Sequence, residues 1–157
     1  MAPDPKARHS DASELAADVG AWLDGSRRRD TARNLVQEAA AHSKEAAELH
    51  AQAERFKAEA FRRLENVAEH DPVELKLAGW TLEDRAKRLE LQANLVALEG
   101  TRTLQTALSL APALPEAHAG LANYYRQRHA QAEAAQEPNQ AALWEVQLRD
   151  HDRGEHY

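Results

Sequence analysis

The stretch Thr31-Ala-Arg-Asn-Leu-Val-Gln-Glu38, continuing to Asn66-Val-Ala-Glu-His70, decides the fold class. It contains no Gly and no Pro and is rich in Ala, Glu, Arg, Lys, Gln and Leu, the residues that lose least on entering a helix. Pro72 follows, where a helix is expected to stop. The composition predicts one helix of about 40 residues, roughly 60 Å long. Leu35, Ala39, His42, Ala46, Leu49, Ala53, Phe56, Ala60, Arg63 and Val67 follow one another by alternating steps of four and three. That is a heptad seam, rich in alanine, with His42 and Arg63 as polar interruptions. Alanine admits a close neighbour but buries little, so the expected partner is another helix of the same chain.

The next run supplies one. After Asp71-Pro72, the residues Leu75, Ala78, Leu82, Ala86, Leu89, Ala93, Val96, Gly100, Thr103, Ala107 and Leu110 repeat the same steps. Two long helices of matching period joined by a short turn predict an antiparallel hairpin over 31–99. Trp80 is expected to plug its turn end. Gly79 and Gly100 are weak points, and Gly100-Thr101 is a place for the second helix to divide or kink.

On the N-terminal side, Asp11 and Glu14 have capping-box spacing, and Leu15, Val19, Trp22 and Leu23 form one apolar stripe. A helix from Ser10 or Asp11 closed by Gly25 is expected, then a solvated basic linker, 26–30, around Arg27-Arg28-Arg29. Asp4-Pro5-Lys6-Ala7-Arg8, Ser10, Ala12, Glu14-Leu15-Ala16-Ala17-Asp18-Val19 and Trp22-Leu23-Asp24-Gly25 resemble the end of a bacterial Ser/Thr protein kinase domain. The resemblance implies that Arg8 pairs with the glutamate of the Ala-Pro-Glu motif and that Trp22 belongs to the last C-lobe helix. A bidentate guanidinium on a buried carboxylate is the physical logic of such a pair. Phosphoryl transfer also needs a Gly-rich loop, a strand lysine, a His-Arg-Asp catalytic loop and an Asp-Phe-Gly site, and none occurs here. The chain alone therefore has no catalytic residues, and residues 1–25 are read as a kinase remnant, with Met1 inside the parent domain.

In the last third, Ala107-Leu108-Ser109-Leu110-Ala111-Pro112 followed by Pro115 to Tyr125 is similar to a tetratricopeptide repeat junction. Ala107, Pro112, Leu121, Ala122 and Tyr125 match the pattern, while His118 stands where Trp is usual. The resemblance implies a repeat-like helix pair over 100–157, with Asn139–Asp150 as its second helix and a groove lined by His118, Asn123, Tyr124 and Arg128. Gln127–Pro138 is longer than the usual connection, and about one and a half repeats fall short of a free-standing array. The order of parts, ending in His151-Asp152-Arg153-Gly154, is similar to large multi-domain bacterial kinases that continue further.

Composition narrows the classes. The 157 residues are 43% hydrophobic but only 5% aromatic, with Gly 6 and Pro 6, which fits an all-α chain with a thin core. A net charge of −6 disfavours nucleic acid and anionic membrane as partners. Cysteine is absent, which rules out disulfides, a thiol nucleophile and thiolate metal sites. There is no His-Glu-x-x-His, no Glu-x-x-His and no Gly-x-Ser-x-Gly, so neither metal nor cofactor is expected, and His151, Asp152 and His156 are read as a solvated tail. With no apolar N-terminal core and no long apolar run, a cytoplasmic protein is expected. The sequence reads as a non-catalytic protein-interaction region from the C-terminal side of a Ser/Thr kinase, spacing the kinase domain from a repeat-like module. The alternative is a piece that completes a kinase supplied by a neighbouring polypeptide.

Overall fold

The computed structural model describes residues 5–68 and 70–152, with side chains from residue 12 onward. Every element among them is helical: α1 Pro5–Leu64, α2 Val73–Leu110, α3 Pro115–Ala134 and α4 Pro138–His151. No helix of the described residues is long and apolar enough to cross a membrane.

α1 is longer at one end and shorter at the other than the sequence suggests. It runs 60 residues through Gly25 and the arginine triplet with no break. Each helical glycine costs about 1 kcal/mol against alanine, too little to end a helix flanked by good formers. Local bonds also hold the segment: Arg28 and Arg29 donate from Nε to the carbonyls of Asp24 and Gly25, and the Thr31 hydroxyl donates to that of Arg27 at 3.0 Å. Residues 26–30 are thus helix rather than linker. At the other end the helix stops at Leu64 instead of His70. Val67 donates its backbone N–H to Leu64 (3.0 Å), and the Asp71 carboxylate takes the Ala68 N–H at 2.7 Å, so the turn begins before Pro72.

α2 packs antiparallel along α1. Leu64 covers Gly79, Arg85 lies 4.5 Å over the Phe56 ring, Lys57 pairs with Glu90, and His42 meets Gly100. The contact is built on two rows of small residues at sevenfold spacing. Ala32, Ala39, Ala46, Ala53 and Ala60 on α1, each at most 4% exposed, run alongside buried Gly79, Ala86, Ala93, Gly100 and Ala107 on α2. The larger seam residues Leu35, Leu49 and Phe56 flank the row half-buried. Gly100 does not divide α2, which runs unbroken through it. A Cβ there would stand 3.2 Å from the His42 Cβ and 3.4 Å from the Ala39 carbonyl oxygen, so the glycine lets the helices close. Trp80 does not plug the turn. It is exposed, one residue off the buried row, and Leu64 on Gly79 fills that end.

α3 and α4 close the other end. Leu121, fully buried, centres a cluster with Leu104, Leu114, Tyr125 and Leu148, against which Val36 and Trp144 pack. Gly120 sits on Leu104, where a Cβ would come within 2.8 Å of a methyl carbon. Tyr125 and Trp144 stack with centroids 6.0 Å apart. The residues after Gln127 are not a long connection: α3 continues to Ala134, and only 135–137 turn. Glu137 N–H reaches the Ala132 carbonyl (2.9 Å) and Gln136 N–H that of Glu133 (3.0 Å), which is a Schellman end with Gln136 at φ 57°.

Burial pushes the Tyr125 phenol above its ordinary pKa, partly opposed by a hydrogen bond with Gln105. Lys57 is also held above its usual value, first by Glu90 and then by Glu54. Its contribution is therefore present below the unfolded pKa and lost as pH rises through the folded one. Water screens so exposed a pair to about 0.2–1 kcal/mol.

Two substitutions test this packing. Gln136→Gly removes a left-handed strain that a Cβ makes costly, and urea unfolding should show a gain of about 0.5–1 kcal/mol. His42 Nδ1 is buried with no hydrogen-bond partner among the described residues. His42→Leu should therefore raise stability by about 1 kcal/mol, measured the same way.

Candidate protein-binding cleft

The small residues that let α1 and α2 close also leave a hollow beside them. Where α3 crosses the pair, a cleft of about 380 Å³ opens among the three helices. Its α1 wall is Val36, Ala39, Ala40, Ser43, Ala46, Ala47 and His50, and its α2 floor is Ala97, Gly100, Thr101 and Leu104. Side chains of one or two heavy atoms dominate the α1 wall, and Ala97 and Gly100 keep half of the floor low. The α3 wall is polar: Asn123, Tyr124, Gln127, Arg128 and Gln131, with Glu116 and Gly120 toward its start. These positions recur at three and four because one face of α3 supplies them.

Arg128 is the cation of this wall. Its Nε donates to the Tyr124 hydroxyl at 3.3 Å, and one terminal nitrogen donates to Gln131 Oε1 at 3.2 Å. The other donates to Asn94 Oδ1 at 2.9 Å on α2. The guanidinium carbon lies 5.3 Å from the Tyr124 ring centroid. All these partners are neutral, and among the described residues no carboxylate lies in ion-pair range of Arg128. The Tyr124 face and the α2 amide hold the guanidinium in place at the rim. Asn123 is exposed and accepts from Arg126 at 2.8 Å.

Of the residues singled out from sequence, Asn123, Tyr124 and Arg128 come together at this cleft. His118 does not. It is 9% exposed and faces the core between α3 and α4. Its Nε2 lies 3.0 Å from the Pro112 carbonyl oxygen and its Nδ1 3.0 Å from His151 Nδ1. A carbonyl can only accept, so Nε2 donates; in the neutral imidazole Nδ1 then carries the lone pair and accepts from His151. His118 staples the α2–α3 turn to the end of α4 and offers nothing to a ligand. The Arg8 side chain lies outside the described residues. Trp22 is placed in the open on α1, 64% exposed. His156 also lies outside the described residues, while His151 is taken up by His118 and stacks on Tyr125 at 5.7 Å. No group of three potential metal ligands gathers among the described residues.

Sequence reading missed the α1 and α2 sides of the cleft. The signal was present as the Ala40, Ser43, Ala47 row beside the buried Ala39, Ala46 row. Comparisons of the chain with protein-family models, with curated proteins and with solved structures give no match.

The different placements of His118 and Asn123 lead to different outcomes on substitution. His118→Ala strands the Pro112 carbonyl and His151 and should cost about 1–3 kcal/mol in urea unfolding. Asn123→Ala, on the exposed wall, should stay within about 0.5 kcal/mol of the parent.

Proposed function

We propose that this chain is a non-catalytic protein-interaction region whose cleft between α1, α2 and α3 takes side chains of a partner helix. The observation that carries this reading is the combination of a small-residue floor with a pre-positioned aromatic and cation at the rim. The Ala and Ser of the α1 wall with Ala97 and Gly100 of the floor let another backbone approach, and about 380 Å³ holds a few anchoring side chains. Tyr124 and Arg128 are the residue types that contribute most at interfaces, and here packing restricts them before any partner arrives.

The same reading takes α3 and α4 as a tetratricopeptide-like pair stacked on the end of the α1–α2 hairpin. Its support is that Ala107, Leu121, Ala122 and Tyr125, which match the repeat pattern, are all buried. His118, at the usual Trp position, is buried with them. We place the region on the C-terminal side of a bacterial Ser/Thr kinase, with the hairpin spacing the kinase domain from the repeat-like pair. The support for that placement is the sequence similarity over residues 4–25. In-frame codons for Asp-Phe-Gly and Ala-Pro-Glu upstream of Met1 are the expected finding, and their absence would remove the kinase from the proposal.

Binding is tested with helical peptides selected by display against the purified chain. Ala47→Trp, which fills the cleft from an exposed position, should weaken the selected peptides at least tenfold. Unchanged affinity would move the site elsewhere. Magnesium-dependent phosphate transfer to a generic acceptor by this chain would overturn the non-catalytic assignment.

A further inference from the structure

The first part of α1 stands clear of the body. Ala32 is the first α1 residue buried under α2 and α3, and residues 12–31 are all exposed or half-exposed. This arm is about 20 residues, roughly 30 Å long. Leu15, Val19, Trp22 and Leu23 lie along one side of it, 43–65% exposed. Four large apolar residues in one stripe differ from the scattered single ones that any surface shows.

The charges of the arm are sorted along its length. Glu14, Asp18 and Asp24 precede Arg27, Arg28 and Arg29, and Asp30, which follows them, lies 3.7 Å from Arg33 in its own helix. Arg27 approaches Asp24 at 4.0 Å in its own helix. Arg28 and Arg29 donate to the backbone carbonyls of Asp24 and Gly25, and no carboxylate pairs with either among the described residues. Glu14 and Asp18 have no ion pair there either. An arm with an acidic beginning and a basic end is complementary to a second copy running the opposite way, and repels a copy running parallel.

We propose that this arm pairs antiparallel with the arm of a second copy of the chain, a use of the stripe that excludes its burial in a kinase C-lobe. Ala12, Leu15, Val19, Trp22, Ser26 and Arg29 step by three and four as the inward positions of a two-stranded coiled coil. In an antiparallel pair Val19 of one copy faces Trp22 of the other, Leu15 faces Ser26, and Ala12 faces Arg29. That register sets the basic end of each arm beside Glu14 of the other. It also places Ala32 of one copy opposite position 9 of the other, so the overhang is long enough for the pairing and the two bodies stand at opposite ends.

The glycines agree with a missing neighbour. Gly79, Gly100 and Gly120 lie where an added Cβ would meet another helix at 2.5, 3.2 and 2.8 Å, whereas Gly20 and Gly25 on the arm have nothing within 4 Å. In the proposed pair Gly25 flanks the seam across from Asp18 of the second copy, a close approach that would account for a helix-weakening residue there.

The test is the mass of the full chain by light scattering from roughly 1 to roughly 200 µM, where a rise toward twice the chain mass is expected. Trp22→Glu should lower the association constant at least tenfold at unchanged helix content. Arg28→Glu with Arg29→Glu, and separately Glu14→Arg with Asp18→Arg, should each weaken self-association, and mixing the two variants should restore a pair. Because the chain has no cysteine, Leu15→Cys mixed with Ser26→Cys should cross-link under oxidation far more than either alone. A one-chain mass across the range overturns the proposal and assigns the stripe to a different protein, such as a kinase C-lobe. Efficient cross-linking of Ser26→Cys to itself overturns the antiparallel order. Neither outcome touches the cleft, whose peptide binding Trp22→Glu leaves intact.

Discussion

The structure depends on the closeness of two backbones. Five α1 positions and five α2 positions, each spaced by seven, carry Ala or Gly and nothing larger. Sevenfold spacing keeps them on one line only if both helices wind gently around each other, since a straight helix drifts about 20° per heptad. Such a contact is paid for in an unusual way. At about 25 cal/mol per Å² an alanine methyl contributes little by leaving water, so dispersion between backbones and the half-buried flanks supply most of the attraction. A larger side chain anywhere in the row would prop the helices apart along several turns.

A seam so thin leaves apolar surface over. Leu91, Leu95 and Leu98 stand exposed on α2, and Leu15, Val19 and Trp22 on α1. In a bundle with Leu and Ile at its centre, residues of this size would be used inside. Here the small row occupies the centre and the large residues are displaced outward. The cleft has the same origin. Where α3 crosses the row, Ala46, Ala97 and Gly100 cannot fill the space that a Leu would have filled.

Periodicity made much of this legible and misplaced some of it for physical reasons. The all-α class followed from seams at 35–67 and 75–110, which held because they span many turns. The ends did not, because a helix terminus depends on one or two hydrogen bonds. Gly25 suits a helix end better than an interior, but its interior cost is only about 1 kcal/mol, and the carbonyls that Arg28, Arg29 and Thr31 engage lie within the continuing helix. Asp71 moved the other end by capturing a single N–H. Trp80 was expected inside on size alone, although its neighbour Gly79 holds the inward position. His118 could have been set correctly from its own helix: it falls on the face of Leu121, Ala122 and Tyr125, whereas Tyr124 and Arg128 fall on the other. The cleft's far walls were out of reach because they needed the position of α3 relative to α1, which no local pattern encodes.

The unbroken passage of α1 through Gly25 gives the parts a fixed relation. Leu15, Trp22, Arg29, Val36, Ser43 and His50 are one row at steps of seven, and Val19, Ser26, Arg33, Ala40 and Ala47 are the row beside it. The first members of each row belong to the exposed arm and the last members to the cleft wall. One helix therefore carries both surfaces over some ten turns. Had the helix ended at Gly25 and resumed after a flexible linker, the arm could point anywhere, and whatever covers it would say nothing about the cleft. Because residues 26–30 are helical, a body attached to the arm is held at a distance and an angle from the cleft that are fixed by the rise and turn per residue of the helix. A continuous helix of this kind fixes orientation as well as distance.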